Sequence, residues 1–175
     1  MKGSHNSVTG ERPKNFWAKW FGCIARCQDK TIMEQYAAGV RLFDIRVKYN
    51  QDGVMQCRHG LAVYDMTLHK VFEVLRKCND VWVMVTYEGR LEGEACDTFV
   101  SYVNTHANIW GIRLGHVSVK LPQWRVVQPS GQPAYEQNYT KIVGWKVLLP
   151  FPRLWHWLNP PKQVKDNEIS MEDFV

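Results

Sequence analysis

Two histidines, His5 and His59, stand in short polar motifs, Ser4-His5-Asn6-Ser7 and Arg58-His59-Gly60, and Phe43-Asp44-Ile45-Arg46 lies between them. Two imidazoles and a guanidinium are the groups needed to cleave a phosphodiester without a metal. One imidazole takes the proton of the attacking hydroxyl and the other gives a proton to the leaving oxygen. The guanidinium holds the charge that builds on phosphorus. Each group alone is commonplace, since a single histidine is usually a surface or satisfied core residue and Asp-x-Arg on a strand is usually a structural ion pair. Only their convergence would carry chemistry.

The elements that must position them follow from periodicity. Thr31 followed by Glu34 is a capping box opening a helix that Gly39 ends. Val40–Val47 alternates as a strand that puts Asp44 and Arg46 on one side. A turn over Asn50–Gly53 leads to a short strand, Val54–Cys57, which delivers His59. Thr67–Cys78 has helical periodicity. Val81–Tyr87 is a nearly continuous apolar run, as in a strand buried on both faces, with Glu88 at its end. A helix is predicted over Glu92–Asn104 and short strands over His116–Lys120 and Lys141–Leu149, with loop over 121–140 and a short helix over Phe151–Leu158. Strands alternating with helices imply an α/β fold with parallel strands. The polar residues at successive strand ends, His5-Asn6, Asp44/Arg46, His59 and Glu88, would then meet at one edge.

The bulk numbers bound the class. A chain of 175 residues, 45% hydrophobic and 22% charged, fits one globular domain. That domain is expected over residues 1–161, with 162–175 a flexible acidic tail. There is no bilayer-length apolar run and no secretory h-region, so a cytoplasmic protein, at most peripheral to a membrane, is expected. Five cysteines without a C-x-x-C pair read as reduced thiols. The whole net charge of +5 resides in residues 1–48, where the candidate chemistry lies. Such a field suits an anionic ligand or an anionic membrane face. No basic recognition helix speaks for nucleic acid.

Taken together, Ser4-His5-Asn6-Ser7-Val8-Thr9, Thr31-Ile32-x-Glu34-Gln35-x3-Gly39-Val40-Arg41-x-Phe43-Asp44-Ile45-Arg46, His59-Gly60 and Thr67-Leu68 resemble the X domain of the phosphatidylinositol-specific phospholipases C, over roughly residues 3–90. The chain looks like a compact, bacterial- or phage-like member. The resemblance implies a TIM-type barrel, here compact or incomplete because such barrels usually take about 250 residues. It implies catalytic roles for His5 as general base, His59 as general acid, Arg46 as stabiliser of the phosphorane and Asp44 as the group orienting Arg46 or His59. Asn6 and Glu88 would contact substrate. The product would be a cyclic phosphodiester from a phospholipid or another phosphodiester.

Arg46 stands where metal-free bacterial enzymes have arginine and calcium-dependent ones have a carboxylate, so no cofactor is expected. The alternative is Ca2+ held by Asn6, Asp44 and Glu88. The family also places an acidic residue from a later strand behind the base histidine, and no position after Arg90 stands out for it. A second alternative is therefore a non-catalytic module that keeps the fold for binding or assembly.

Two aromatic clusters remain. Phe16, Trp17, Trp20 and Phe21, interleaved with Lys14 and Lys19, are expected to pack on the domain, with a lipid-interface anchor as the alternative. Trp145, Phe151, Trp155 and Trp157 are expected to pack a terminal helix, with a homo-oligomer or other protein interface as the alternative.

Overall fold

The computed structural model describes residues 1–106, 108–115, 124–127, 134–137, 153, 154, 157 and 168–175. Strand β1 (Lys2–Ser4) leads through a 3-10 turn (Ser7–Gly10) and short helices α1 (Phe16–Trp20) and α2 (Gly22–Ala25) to α3 (Ile32–Ala37). Then come β2 (Leu42–Tyr49), β3 (Met55–His59), β4 (Ala62–Thr67), α4 (Leu68–Leu75), β5 (Trp82–Glu88), α5 (Gly93–Asn104) and β6 (Ile109–Gly115). Short strands β7 (Trp124–Val127), β8 (Ala134–Gln137) and β9 (Glu168–Glu172) complete the described elements. Among the described residues, no helix is long and apolar enough to cross a membrane.

The strands form one sheet in the order β7-β6-β5-β2-β1-β9-β8, with β3 pairing β2 and β4 as a branch. Neighbours from β6 to β8 are parallel, β7 is antiparallel to β6, and β3 runs back along β2. The expected α/β class with parallel strands is present. A closed TIM-type barrel is not: among the described residues β7 and β8 are open edges of the sheet.

Alternation on β2 decides the layering. Phe43, Ile45 and Val47 are fully buried and share one core with Val83 and Val85 of β5, Leu68, Val71 and Phe72 of α4, and Phe99 and Val103 of α5. Each such side chain contributes about 1.5–3 kcal/mol by leaving water. Leu42, Asp44 and Arg46 turn to the opposite face. There Leu42 joins Met84, Trp110 and Met171 in a small apolar floor. The site residues stand above this floor.

Local signals explain the connections. Thr31 and Glu34 form the capping box, and Gly39 takes φ 91° where α3 ends. Gly10 is needed for close approach, since a Cβ there would lie 1.9 Å from the Lys30 carbonyl oxygen.

Several expectations are corrected. Strands β4 and β6 have no counterpart in the sequence reading, and β7 and β8 fall inside the segment read as loop. Residues 162–175 were expected to be a flexible acidic tail, but Glu168–Glu172 pairs in parallel with both β1 and β8. Met171 is fully buried in the floor and fixes that strand despite its acidic neighbours. The segments predicted over His116–Lys120, Lys141–Leu149 and most of Phe151–Leu158, together with Trp145, Phe151 and Trp155, lie outside the described residues.

Candidate active site

Parallel pairing gathers the C-terminal ends of β1, β2, β5 and β9 along one edge. His5 follows β1, Arg46 lies on β2, Glu88 ends β5, and Asp173 follows β9. β3 runs back beside β2 and ends on His59. The structure thus brings together His5, Asn6, Asp44, Arg46, His59 and Glu88, and adds Asp173, Cys27 and Arg58.

The hydrogen bonds fix the tautomer of His5. Arg46 Nη2 lies 2.7 Å from His5 Nε2, and a guanidinium can only donate. Nε2 therefore carries the lone pair and Nδ1 the proton, which it donates to Asp173 Oδ1 at 2.7 Å. Both residues are buried. Gln28 ties the two strands behind them, its Nε2 donating to the carbonyls of His5 and Glu172 at 2.9 and 2.8 Å. The Phe174 N–H donates to the Cys27 carbonyl at 2.8 Å, which holds the segment beyond Asp173.

His59 faces His5 edge-on, with ring centroids 6.4 Å apart. Its Nδ1–H donates to the Ala25 carbonyl at 2.7 Å, so Nε2 is the atom that exchanges a proton. Burial, reinforced by the charge of Arg46, lowers the His59 pKa to about 4.

Arg46 is held between carboxylates, 3.4 Å from Asp44 Oδ2 and 3.9 Å from Glu88 Oε1. Asp44 also accepts the Asn6 N–H at 3.2 Å and lies 4.0 Å from His5 Nε2. Burial penalises its charge, but Arg46, His5 and Arg113 outweigh that and hold its pKa below the ordinary value. Glu88 goes the other way. Burial raises its pKa despite Arg46, the Gly60 N–H at 2.9 Å and Arg58 at 3.7 Å.

Asn6 sits in the left-handed region at φ 46°, which asparagine tolerates better than most residues. Its Nδ2 lies 3.3 Å from His5 Nε2 and 3.5 Å from Cys27 Sγ, while its buried Oδ1 has no hydrogen-bond partner among the described residues. The oxygens that could hold calcium, on Asn6, Asp44 and Glu88, do not fit that ion as arranged, because the Arg46 guanidinium occupies the place between the two carboxylates.

The aromatic segment does not pack down as expected. Trp20 is 75% exposed and Phe16 59%, and Ala18 is the one buried residue of α1. Trp17, Phe21, Ile24 and Leu61 line an apolar hollow of about 310 Å³ that opens beside His59.

Asp173 is the residue that the sequence left unidentified. Its signal was the alternation Ile169/Met171/Asp173 at the end of an otherwise polar segment. Cys27 gave no signal beyond its type.

No protein-family model and no curated protein matches the chain. Among solved structures, the phosphatidylinositol-specific phospholipase C of Listeria monocytogenes is similar with a TM-score of 0.50 at 13% identity, over 79% of this chain and 61% of that one. The Staphylococcus aureus enzyme is also matched. A double mutant of it gives a TM-score of 0.39 at 25% identity over 50% of this chain and 29% of its own. Another mutant gives 0.45 at 20% identity over 66% and 48%. The chain spans less than two thirds of the length of these structures. Its fold is phosphatidylinositol-specific-phospholipase-C-like.

Proposed function

We propose that this chain is a metal-independent phosphodiesterase that cleaves a phospholipid by histidine–histidine acid–base catalysis, the activity of the enzymes whose fold it shares. The observation that carries this reading is the pair of imidazoles with ring centroids 6.4 Å apart, each with its Nδ1 bound and its Nε2 left for proton exchange, and with Arg46 on Nε2 of His5. On this reading the substrate phosphate lies against Arg46, with one imidazole on the nucleophile side and one on the leaving-group side.

The entering hydroxyl takes the place of Arg46 on His5 Nε2 and gives its proton there, and its oxygen bonds to phosphorus. The bond from phosphorus to the leaving oxygen breaks as His59, protonated at Nε2, supplies that oxygen with a proton. Asp173 stabilises the imidazolium formed at His5 and keeps its ring oriented, a role that fits a buried carboxylate on Nδ1. Arg46, released from His5, neutralises the equatorial oxygens, and Asp44 and Glu88 hold its guanidinium in line. An intramolecular hydroxyl as nucleophile gives a cyclic phosphodiester. The same guanidinium fills the place of a metal, which favours the metal-independent form.

The exposed Phe16, Trp17, Trp20 and Phe21, with Lys19 among them, support a substrate lying in a membrane rather than in solution. The apolar hollow beside His59 suits a lipid leaving group. The acidic partner that Asp173 gives His5 favours an enzyme over a non-catalytic module.

The test is turnover of phosphatidylinositol in vesicles. His5→Ala and His59→Ala should each lower it by about 10²- to 10⁴-fold with the fold intact, and EDTA should leave it unchanged. Undiminished turnover in both variants would sink the proposal, and rescue by Ca2+ after EDTA would return the metal-dependent form.

A further inference from the structure

His5, Cys27 and Asp173 each offer one ligand atom, an imidazole nitrogen, a thiol sulfur and a carboxylate oxygen, and these atoms lie within 4.8 Å of one another. All three residues are buried, Cys27 at 1% exposure. We propose that they form a site for a thiophilic divalent cation of the zinc type, and that its occupation silences the base. The binding site stands on geometry alone, and only its effect on turnover rests on the proposed function.

The donor set is selective. One thiolate, one imidazole and one carboxylate suit Zn2+ or Co2+, whereas Ca2+ and Mg2+ require more oxygens. Bonds of about 2.0–2.3 Å in a tetrahedral site place the ligand atoms about 3.3–3.8 Å apart, so a pair at the 4.8 Å limit must close by about an ångström while His5 Nδ1 and Asp173 Oδ1, 2.7 Å apart, must open to admit the ion. Thiolate and carboxylate together cancel the charge of the ion. The buried Oδ1 of Asn6, without a partner among the described residues, belongs to an amide that already touches both Cys27 Sγ and His5 Nε2, and turning that amide offers a fourth ligand.

The proton balance is simple. The ion enters at His5 Nδ1, the Cys27 thiol loses its proton to solvent, and the imidazole stays neutral as its proton passes from Nδ1 to Nε2, so that Arg46, which donates to Nε2 in the empty site, turns away. Before that, burial and the charge of Asp173 keep the thiol protonated. The carboxylate that opposes a free thiolate becomes its co-ligand once the cation is present. Arg46, 2.7 Å from His5 Nε2, opposes the ion from the far side. With Nδ1 on the ion and the ring proton on Nε2, His5 can no longer receive a proton from substrate.

Co2+ and Zn2+ added to the full chain test this. A thiolate-to-cobalt absorption band should rise to saturation at one equivalent and be abolished in Cys27→Ser. It should be unchanged in Cys23→Ser, which alters an exposed thiol elsewhere. Calorimetry should show Zn2+ binding weakened tenfold or more in Asp173→Asn, with circular dichroism confirming the fold of each variant. Absence of the band, or its persistence in Cys27→Ser, would overturn the site. A protein that shows the band but never turns over phosphatidylinositol retains the site and loses the proposed function. Turnover untouched by saturating Zn2+ would overturn the silencing.

Discussion

The low pKa of His59 has consequences for stability and for catalysis that can be measured separately. The side chain is pushed from an ordinary value near 6.5 to about 4, by burial first and by Arg46 next. Between those values the unfolded chain binds a proton that the folded chain does not. The folded state therefore loses stability as pH falls from about 6.5 to about 4, and the contribution is complete above 6.5. A shift of about 2.5 units corresponds to about 3 kcal/mol. His59→Gln keeps an amide donor for the Ala25 carbonyl and removes the titration of this side chain. Urea unfolding at pH 7 and pH 4 should show the wild type losing about 3 kcal/mol more than His59→Gln. Parallel losses would refute the assignment.

A neutral His59 cannot donate a proton, so the proposed mechanism requires substrate to raise its pKa. One negative charge about 4 Å away, at an effective dielectric constant of about 20, contributes about 4 kcal/mol, or about three pKa units. That is enough to return His59 from about 4 to near neutrality. On the proposed mechanism, the phosphate that needs the acid thus creates it. Proton magnetic resonance of the His59 ring with saturating inorganic phosphate should show a pKa raised by at least two units. A pKa that stays put or falls would rule out a phosphate between Arg46 and His59.

Three further outcomes follow from named contacts. Asp173→Asn keeps the size of the side chain but favours the wrong tautomer of His5; kcat should drop by about 10²- to 10⁴-fold with KM little changed, and equal loss through KM would argue against positioning. Gly10→Ala should destabilise the fold by about 3 kcal/mol in denaturant, because the added carbon would overlap the Lys30 carbonyl. Trp17→Ala with Trp20→Ala should weaken sedimentation with anionic vesicles tenfold or more while leaving hydrolysis of a water-soluble phosphodiester unchanged; loss of both would mean that the two rings are structural.

Much of the candidate site was legible because it is local. Asp44 and Arg46 share a strand whose alternation is visible, and Thr31 and Glu34 announce the helix before it. Glu88 ends an apolar run that could only be a buried strand. The segment 168–175 was illegible for a physical reason. Its composition is acidic and polar, and it becomes a strand because β1 and β8 flank it and Met171 finds a pocket against Leu42, Met84 and Trp110. No local rule contains those partners. The aromatic segment failed differently. Trp17 and Trp20 fit an amphipathic helix, but α1 is five residues long and turns only Ala18 inward. Hydrophobicity alone does not say which face the core will accept.

The two halves of the site therefore differ in how they are held. Asp44, Arg46, His59 and Glu88 come from β2, β3 and β5, which are paired through long registers over a shared core. His5 follows a strand of three residues that could not hold itself. Its main chain is fixed from both sides, by its N–H on the Glu172 carbonyl at 2.9 Å and by Gln28 on its own carbonyl at 2.9 Å. Each such bond contributes about 0.5–1.5 kcal/mol net. The orientation of the base is thus a collective property of β1, β9 and the Cys27-Gln28 bend. Asp173, 168 residues away in the chain, orients the His5 ring that the proposed mechanism uses as base. On the proposed function, turnover therefore depends on the pairing of β9 with β1, which carries Asp173 to His5.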